Sequence, residues 1–231
     1  MTSMATYTPL SPVDVRAILS RYPLGDLVSL EALPGGQANS SFKLKTEQGT
    51  FVLSICDEKP LSQVVTLCQV LDLLQASNFP TQRVIKTHSA EGVITVNAKP
   101  VFIKTYIPGQ VPEQVTSGML VQVGRQLARL HQIQAPDGIP RRFAYGLECF
   151  DEVLNSRQSA EYRRWLADKQ AYLTESLSAE LPRCMIHGDL FYDNTLFAGQ
   201  ELKAILDFEE VCVYFRAFDI GMCLAGFCIL D

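Results

Sequence analysis

The chain has 231 residues, enough for one large domain or two small lobes around a buried core. Apolar residues at 47% and charged residues at 19% exclude a disordered tail and a coiled coil. Twenty basic against 25 acidic side chains leave a net charge of −5 with no block of like charge, which argues against broad electrostatic binding to nucleic acid. The longest uncharged apolar run, residues 220–230, is too short to span a bilayer, and residues 1–10 do not read as a signal peptide. Seven cysteines, an odd number with no C-x-x-C spacing, read as free thiols in a reducing compartment, so the expected location is cytoplasmic. With His88, His131 and His187 the only histidines and none at ligand spacing from a cysteine, a zinc site is not expected.

In chain order, Ser11-Pro12-Val13-Asp14 opens a helix: serine suits the N-cap, proline the first turn, and aspartate the positive end of the dipole. Val15, Ile18, Leu19 and Tyr22 form its apolar face, and Pro23 and Gly25 stop it. Short runs separated by turns follow. Residues 28–32 form one strand. Phe42 and Leu44 alternate with Lys43 and Lys45 in a half-buried second strand, and residues 50–55 return as its hairpin partner after Glu47-Gln48-Gly49. A helix over 61–76 buries Val64, Val65, Cys68, Leu71 and Leu74, and strands resume at 83–86, 92–96 and 100–107. Pro108-Gly109 marks a boundary.

Beyond it the periods are helical. Met119, Leu120, Val123, Leu127 and Leu130 mark one amphipathic helix; Tyr162, Trp165, Leu166, Leu173 and Leu177 mark another, ended by Pro182. Residues 195–197 and 202–206 flank a turn as a hairpin, and a last apolar helix begins near Asp219. The class is therefore α+β. An antiparallel sheet with an inserted helix occupies residues 1–107, and a mainly helical region occupies residues 108–231.

The strongest pattern is His187-Gly188-Asp189-Leu190-Phe191-Tyr192-Asp193-Asn194, followed by the hairpin and then Asp207-Phe208-Glu209. The hairpin returns the chain so that Asp207 can sit beside Asp189 and Asn194. An amide oxygen and a carboxylate are hard donors suited to Mg²⁺ on phosphates, and the remaining carboxylate can accept a proton from a hydroxyl. That division of labour fits phosphoryl transfer. An Asp–Asn pair in a loop can also cap a helix, and an aspartate can close a turn.

The same residues resemble the catalytic and metal loops of the aminoglycoside phosphotransferase and choline kinase superfamily, whose members share a protein-kinase-like two-lobe fold. The resemblance, running from about Val28 to Asp231, implies Asp189 as catalytic base and Asn194 and Asp207 as Mg²⁺ ligands. It implies a nucleotide-binding lobe over residues 1–107 and a catalytic lobe over 108–231. Phe218-Asp219-Ile220-Gly221 is similar to the family's next element, whose aspartate braces the catalytic loop; His187 would orient that loop rather than carry a proton. Gly35, Gly36, Asn39 and Ser40 lie where a phosphate-covering loop belongs, although Pro34-Gly35-Gly36 is also an ordinary turn. Thr105, Tyr106 and Ile107 fall at the junction where relatives meet adenine through main-chain groups. His131, four residues after Leu127, reads as a satisfied core histidine.

Gly35-Gly36-x-x-Asn39-Ser40 is most similar to the type II homoserine kinases. The resemblance implies ATP and Mg²⁺ as cofactors and homoserine as the favoured hydroxyl substrate, in threonine biosynthesis. Choline, ethanolamine and aminoglycosides are alternative acceptors, and an inactive nucleotide-binding relative is the alternative from another class. Two departures stand out. Ser54 occupies the mid-strand position where many relatives place a lysine or arginine on the α and β phosphates, with Lys59 a distant substitute. The chain also ends at Asp231 inside an apolar segment where the family continues with further helices, so a truncated or shortened relative is expected. The oligomeric state is open.

Overall fold

The computed structural model describes residues 8–33, 39–178 and 180–228. They fall into two compact units. The first comprises the chain up to Gln110 with Leu196–Ala198 and Lys203–Leu206; the second comprises Val111–Thr195, Gly199–Leu202 and the chain from Asp207 onward.

In the first unit, α1 (Pro12–Leu19) starts with a reciprocal cap: the Asp14 N–H donates to Ser11 Oγ and the Ser11 N–H donates to the Asp14 carboxylate at 2.9 Å. An antiparallel sheet follows from β1 (Leu27–Ala32), β2 (Asn39–Thr46), β3 (Gly49–Cys56), β4 (Val84–Ile85), β5 (Ile94–Val96) and β6 (Lys99–Thr105). Its order is β1-β2-β3-β6-β4, with β5 also paired to β6. The alternation read from β2 holds: Phe42 and Leu44 are buried with Leu53, Ile55 and Ile103 against Val15, Ile18 and Leu19 of α1. The inserted helix α2 (Leu61–Ala76) buries Val64, Leu67, Cys68, Val70, Leu71 and Leu74. Val65, expected in that stripe, is 40% exposed, because it follows Val64 by one residue and so lies about 100° round the helix.

In the second unit, α3 (Ser117–Leu130) buries Met119, Val123, Leu127 and Leu130 as its spacing requires. A short α4 (Phe150–Leu154) and α5 (Ala160–Ser176) follow. On α5 Leu166 is buried but Tyr162 and Trp165 are exposed; their rings meet each other at 5.6 Å rather than a core. A two-stranded sheet not visible in the local pattern pairs β7 (Arg183–Ile186) with a later strand, Cys212–Phe215. In chain order the expected hairpin of β8 (Thr195–Ala198) and β9 (Glu201–Ile205), most of which belongs to the first unit, comes before that later strand, β10; α6 (Arg216–Cys228) then begins three residues before Asp219. Among the described residues no helix is long and apolar enough to cross a membrane.

Candidate active site

The loop after β7 is built into the second unit by buried polar contacts. Ile186, the last residue of β7, is in register with Cys212 of β10. The next two residues, His187 and Gly188, donate their backbone N–H groups to the two carboxylate oxygens of Asp219, at 3.0 and 2.9 Å. Asp219 is fully buried, and its Oδ2 is also 2.8 Å from His131 Nε2, at the end of α3. A carboxylate without water needs such a set of donors. Asp219 thus braces the loop, and His131 is a satisfied core histidine whose partner is 88 positions away.

Glycine is required at two points of this frame. Gly188 has φ +83°, and a Cβ there would lie 2.8 Å from the Phe143 ring and 2.9 Å from the Glu210 carbonyl oxygen. A Cβ on Gly226 would lie 2.7 Å from the Phe191 ring, so its absence lets α6 seat on the loop two residues beyond Asp189.

Asp189 follows directly. Its N–H donates to His187 Nδ1 at 3.2 Å, and the His187 ring is fully buried against Phe208. His187 therefore orients the loop. Burial pushes the Asp189 carboxyl above its ordinary value, the charges of Asp207 and Asp193 push it further, and His187 and the Asn194 amide work against them. Asn194 closes the loop: its Nδ2 donates to the Asp189 carbonyl at 2.7 Å and to the Asp189 carboxylate at 3.3 Å. Both donations use the nitrogen, so Asn194 Oδ1 makes no hydrogen bond with a described residue.

Asn194 immediately precedes β8, and Asp207 stands two residues after β9. The short turn at Gly199 and Gln200 returns the chain, so both side chains stand at the open end of one hairpin. Asp207 has φ +58°, a conformation that aspartate tolerates but that stores strain, and its Oδ1 accepts the Glu209 N–H at 3.4 Å. One amide oxygen and one carboxylate make an incomplete cation site, and no cluster of three acidic, histidine or cysteine ligands occurs among the described residues. Such a pair fits Mg²⁺ that takes its remaining ligands from phosphates and water.

The first unit holds the other candidates. Gly35 and Gly36 lie outside the described residues. Asn39 opens β2 opposite Cys56. The Ser40 hydroxyl is buried and committed: it accepts the Thr8 N–H at 2.7 Å and donates to Asp57 at 2.6 Å. Asp57 also accepts from Lys99 at 2.6 Å. Thr105 is spent on the sheet, its N–H on Arg83 O and its carbonyl on Gln82 Nε2. The Tyr106 N–H points to Thr50 O at 3.4 Å. The Tyr106 carbonyl and both main-chain groups of Ile107 make no hydrogen bond with a described residue.

Comparison with known proteins agrees with this geometry. A model of the phosphotransferase enzyme family matches residues 29–231. A curated homoserine kinase from Beijerinckia indica is 31% identical over 235 residues, spanning 97% of this chain and 72% of that protein. Among solved structures, a microcompartment-associated aminopropanol kinase superposes with a TM-score of 0.73 at 19% identity, over 93% of this chain and 74% of the other. A spectinomycin phosphotransferase solved with ADP and spectinomycin superposes with a TM-score of 0.67 at 13% identity, over 97% of this chain and 82% of the other. The fold is therefore the kinase-like one of these phosphotransferases.

Proposed function

This chain belongs to the phosphotransferase enzyme family, and on that premise we propose that it moves the γ-phosphoryl group of ATP to a hydroxyl of a small metabolite, homoserine being the favoured acceptor. The observation that carries the reading is the Asn194 amide. It gives both its donations to Asp189 and leaves its oxygen for a cation, while Asp189 stays a half-buried carboxylate of raised basicity. In this reading residues 1–107 bind the nucleotide, through Gly35, Gly36 and Asn39 and through the main chain of Tyr106 and Ile107. The Ser40 hydroxyl, already committed to Asp57, holds the start of β2 in place. Residues 108–231 carry the chemistry.

Asp189 orients the acceptor hydroxyl and takes its proton as the new P–O bond forms and the bond to the ADP leaving oxygen breaks. Its raised pKa suits it to accept a proton. Asn194 and Asp207 would hold Mg²⁺, which when bound neutralises phosphate charge. The Asp219 brace and the His187 contact keep Asp189 in place without a reorganisation cost.

Homoserine is favoured by the names of the curated relatives at about 30% identity. The test is Mg²⁺-dependent ADP formation from ATP with homoserine, choline, ethanolamine and an aminoglycoside. Turnover with homoserine, falling by about 10²–10⁴-fold in Asp189→Asn, is expected. Faster turnover of another acceptor would reassign the substrate, and full activity in Asp189→Asn would remove the assigned base.

A further inference from the structure

The two faces of the first unit's sheet differ in character. One is filled by Phe42, Leu44, Leu53, Ile55 and Ile103 against α1. Directly paired residues of an antiparallel sheet project to the same side, so the other face carries Ser41 and Lys43 from β2, Val52 and Ser54 from β3, and Phe102 and Lys104 from β6. Lys43 and Lys104 are both register partners of Val52, one on each side, and Ser54 is two residues further along the same face. The strip runs toward Asn39, where β2 begins, and the Ser41 and Ser54 hydroxyls touch at 3.3 Å.

These two lysines are treated differently from Lys86 and Lys99 of the same unit. Lys86 and Lys99 each have a carboxylate, Asp72 and Asp57. Lys43 and Lys104 are half-buried yet form no ion pair with a described residue. Glu31 is the register partner of Lys43 on β1 and does not pair with it. Each instead lies over a ring face: Lys43 Nζ is 4.8 Å from the Tyr106 centroid and Lys104 Nζ 5.1 Å from that of Phe102. Lysine withdrawn from water without a carboxylate is uncommon. Two of them flanking one residue on a four-carbon stem each present a movable pair of point charges, the chemistry that receives a phosphate.

We propose that Lys43 and Lys104 together hold the polyphosphate of the bound nucleoside triphosphate, supplying the charge that Ser54 does not. The proposal rests on the kinase reading above. The measurement is calorimetric binding of MgATP and, separately, of adenosine to the full chain. Lys43→Ala and Lys104→Ala each raise the Kd for MgATP by about 10-fold, and the double variant raises it further, as loss of charge-assisted contacts requires. Adenosine affinity stays unchanged, and the Lys→Arg variants retain most of the MgATP affinity. Wild-type MgATP affinity in the double variant overturns the proposal and leaves the kinase reading intact. Equal weakening of adenosine also overturns it, because the lysines then serve the sheet or the base. Failure of the wild-type chain to bind either ligand removes the kinase reading itself, and the proposal with it.

Discussion

The loop of the second unit and the lysine-bearing sheet face of the first use charge in opposite ways. Around the loop each buried polar group is tied: Asp219 to two backbone N–H groups and His131, His187 to the Asp189 N–H, Asn194 to Asp189. On the sheet face Lys43 and Lys104 lie over aromatic rings and form no ion pair with a described residue. A group that must accept a proton at a fixed point needs a rigid frame. A charge that meets a flexible polyphosphate needs only to be nearby and free to follow it. The same contrast sets the order of expected stability effects.

Asp219→Ala tests the rigid side most severely. It leaves two buried N–H groups and His131 without their acceptor, and a loss of about 3–5 kcal/mol in urea unfolding is expected. A loss below 1 kcal/mol would mean that the frame is not rigid. In the first unit Asp57 is the nearest equivalent, with Thr8, Ser40 and Lys99 as donors. Burial opposes its ionisation, but these donors outweigh that and hold the carboxyl below its ordinary 3.8. Asp57→Ala should cost about 1–3 kcal/mol near neutral pH. Because the folded pKa is depressed, that contribution is complete above pH 3.8 and is lost as pH falls through the lower folded value, so the two unfolding curves should converge in acid. A difference that grows in acid would reverse the assignment.

The smallest effect has the opposite sign. The folded pKa of Asp189 is raised, so the wild-type chain is relatively most stable below 3.8 and loses that advantage as pH rises through the folded value. Asp189→Asn removes the cost of holding a charge there. Its Tm should exceed the wild type's by about 1 °C at neutral pH, a small gain because the side chain is partly solvated, and by nothing in acid. A lower Tm at neutral pH would show that the Asn194 contact outweighs the burial.

Much of this was legible locally. The alternation of Phe42 and Leu44 with Lys43 and Lys45 shows β2, and Ser11 with Asp14 shows the first cap. The offset from Asp189 to Asn194, with a hairpin leading to Asp207, shows the loop. The β7–β10 pairing was not legible, because two four-residue strands separated by a hairpin and its loops carry no marker of each other. Nor was the exposure of Tyr162 and Trp165, since a helical spacing says which residues share a face but not whether anything covers it.

The chain's own residue order was sufficient to determine the α+β layout, the membership suggested by its histidine-glycine-aspartate motif, and the lack of a lysine in mid-β3. Only the tertiary structure decided that Asp219 takes its third donor from His131, and that Lys43 and Lys104 flank Val52 from β2 and β6. Periodicity and motif spacing are written in neighbouring residues. Partners brought together across many positions are chosen by how sheets register and helices pack, and no short stretch of chain encodes that alone.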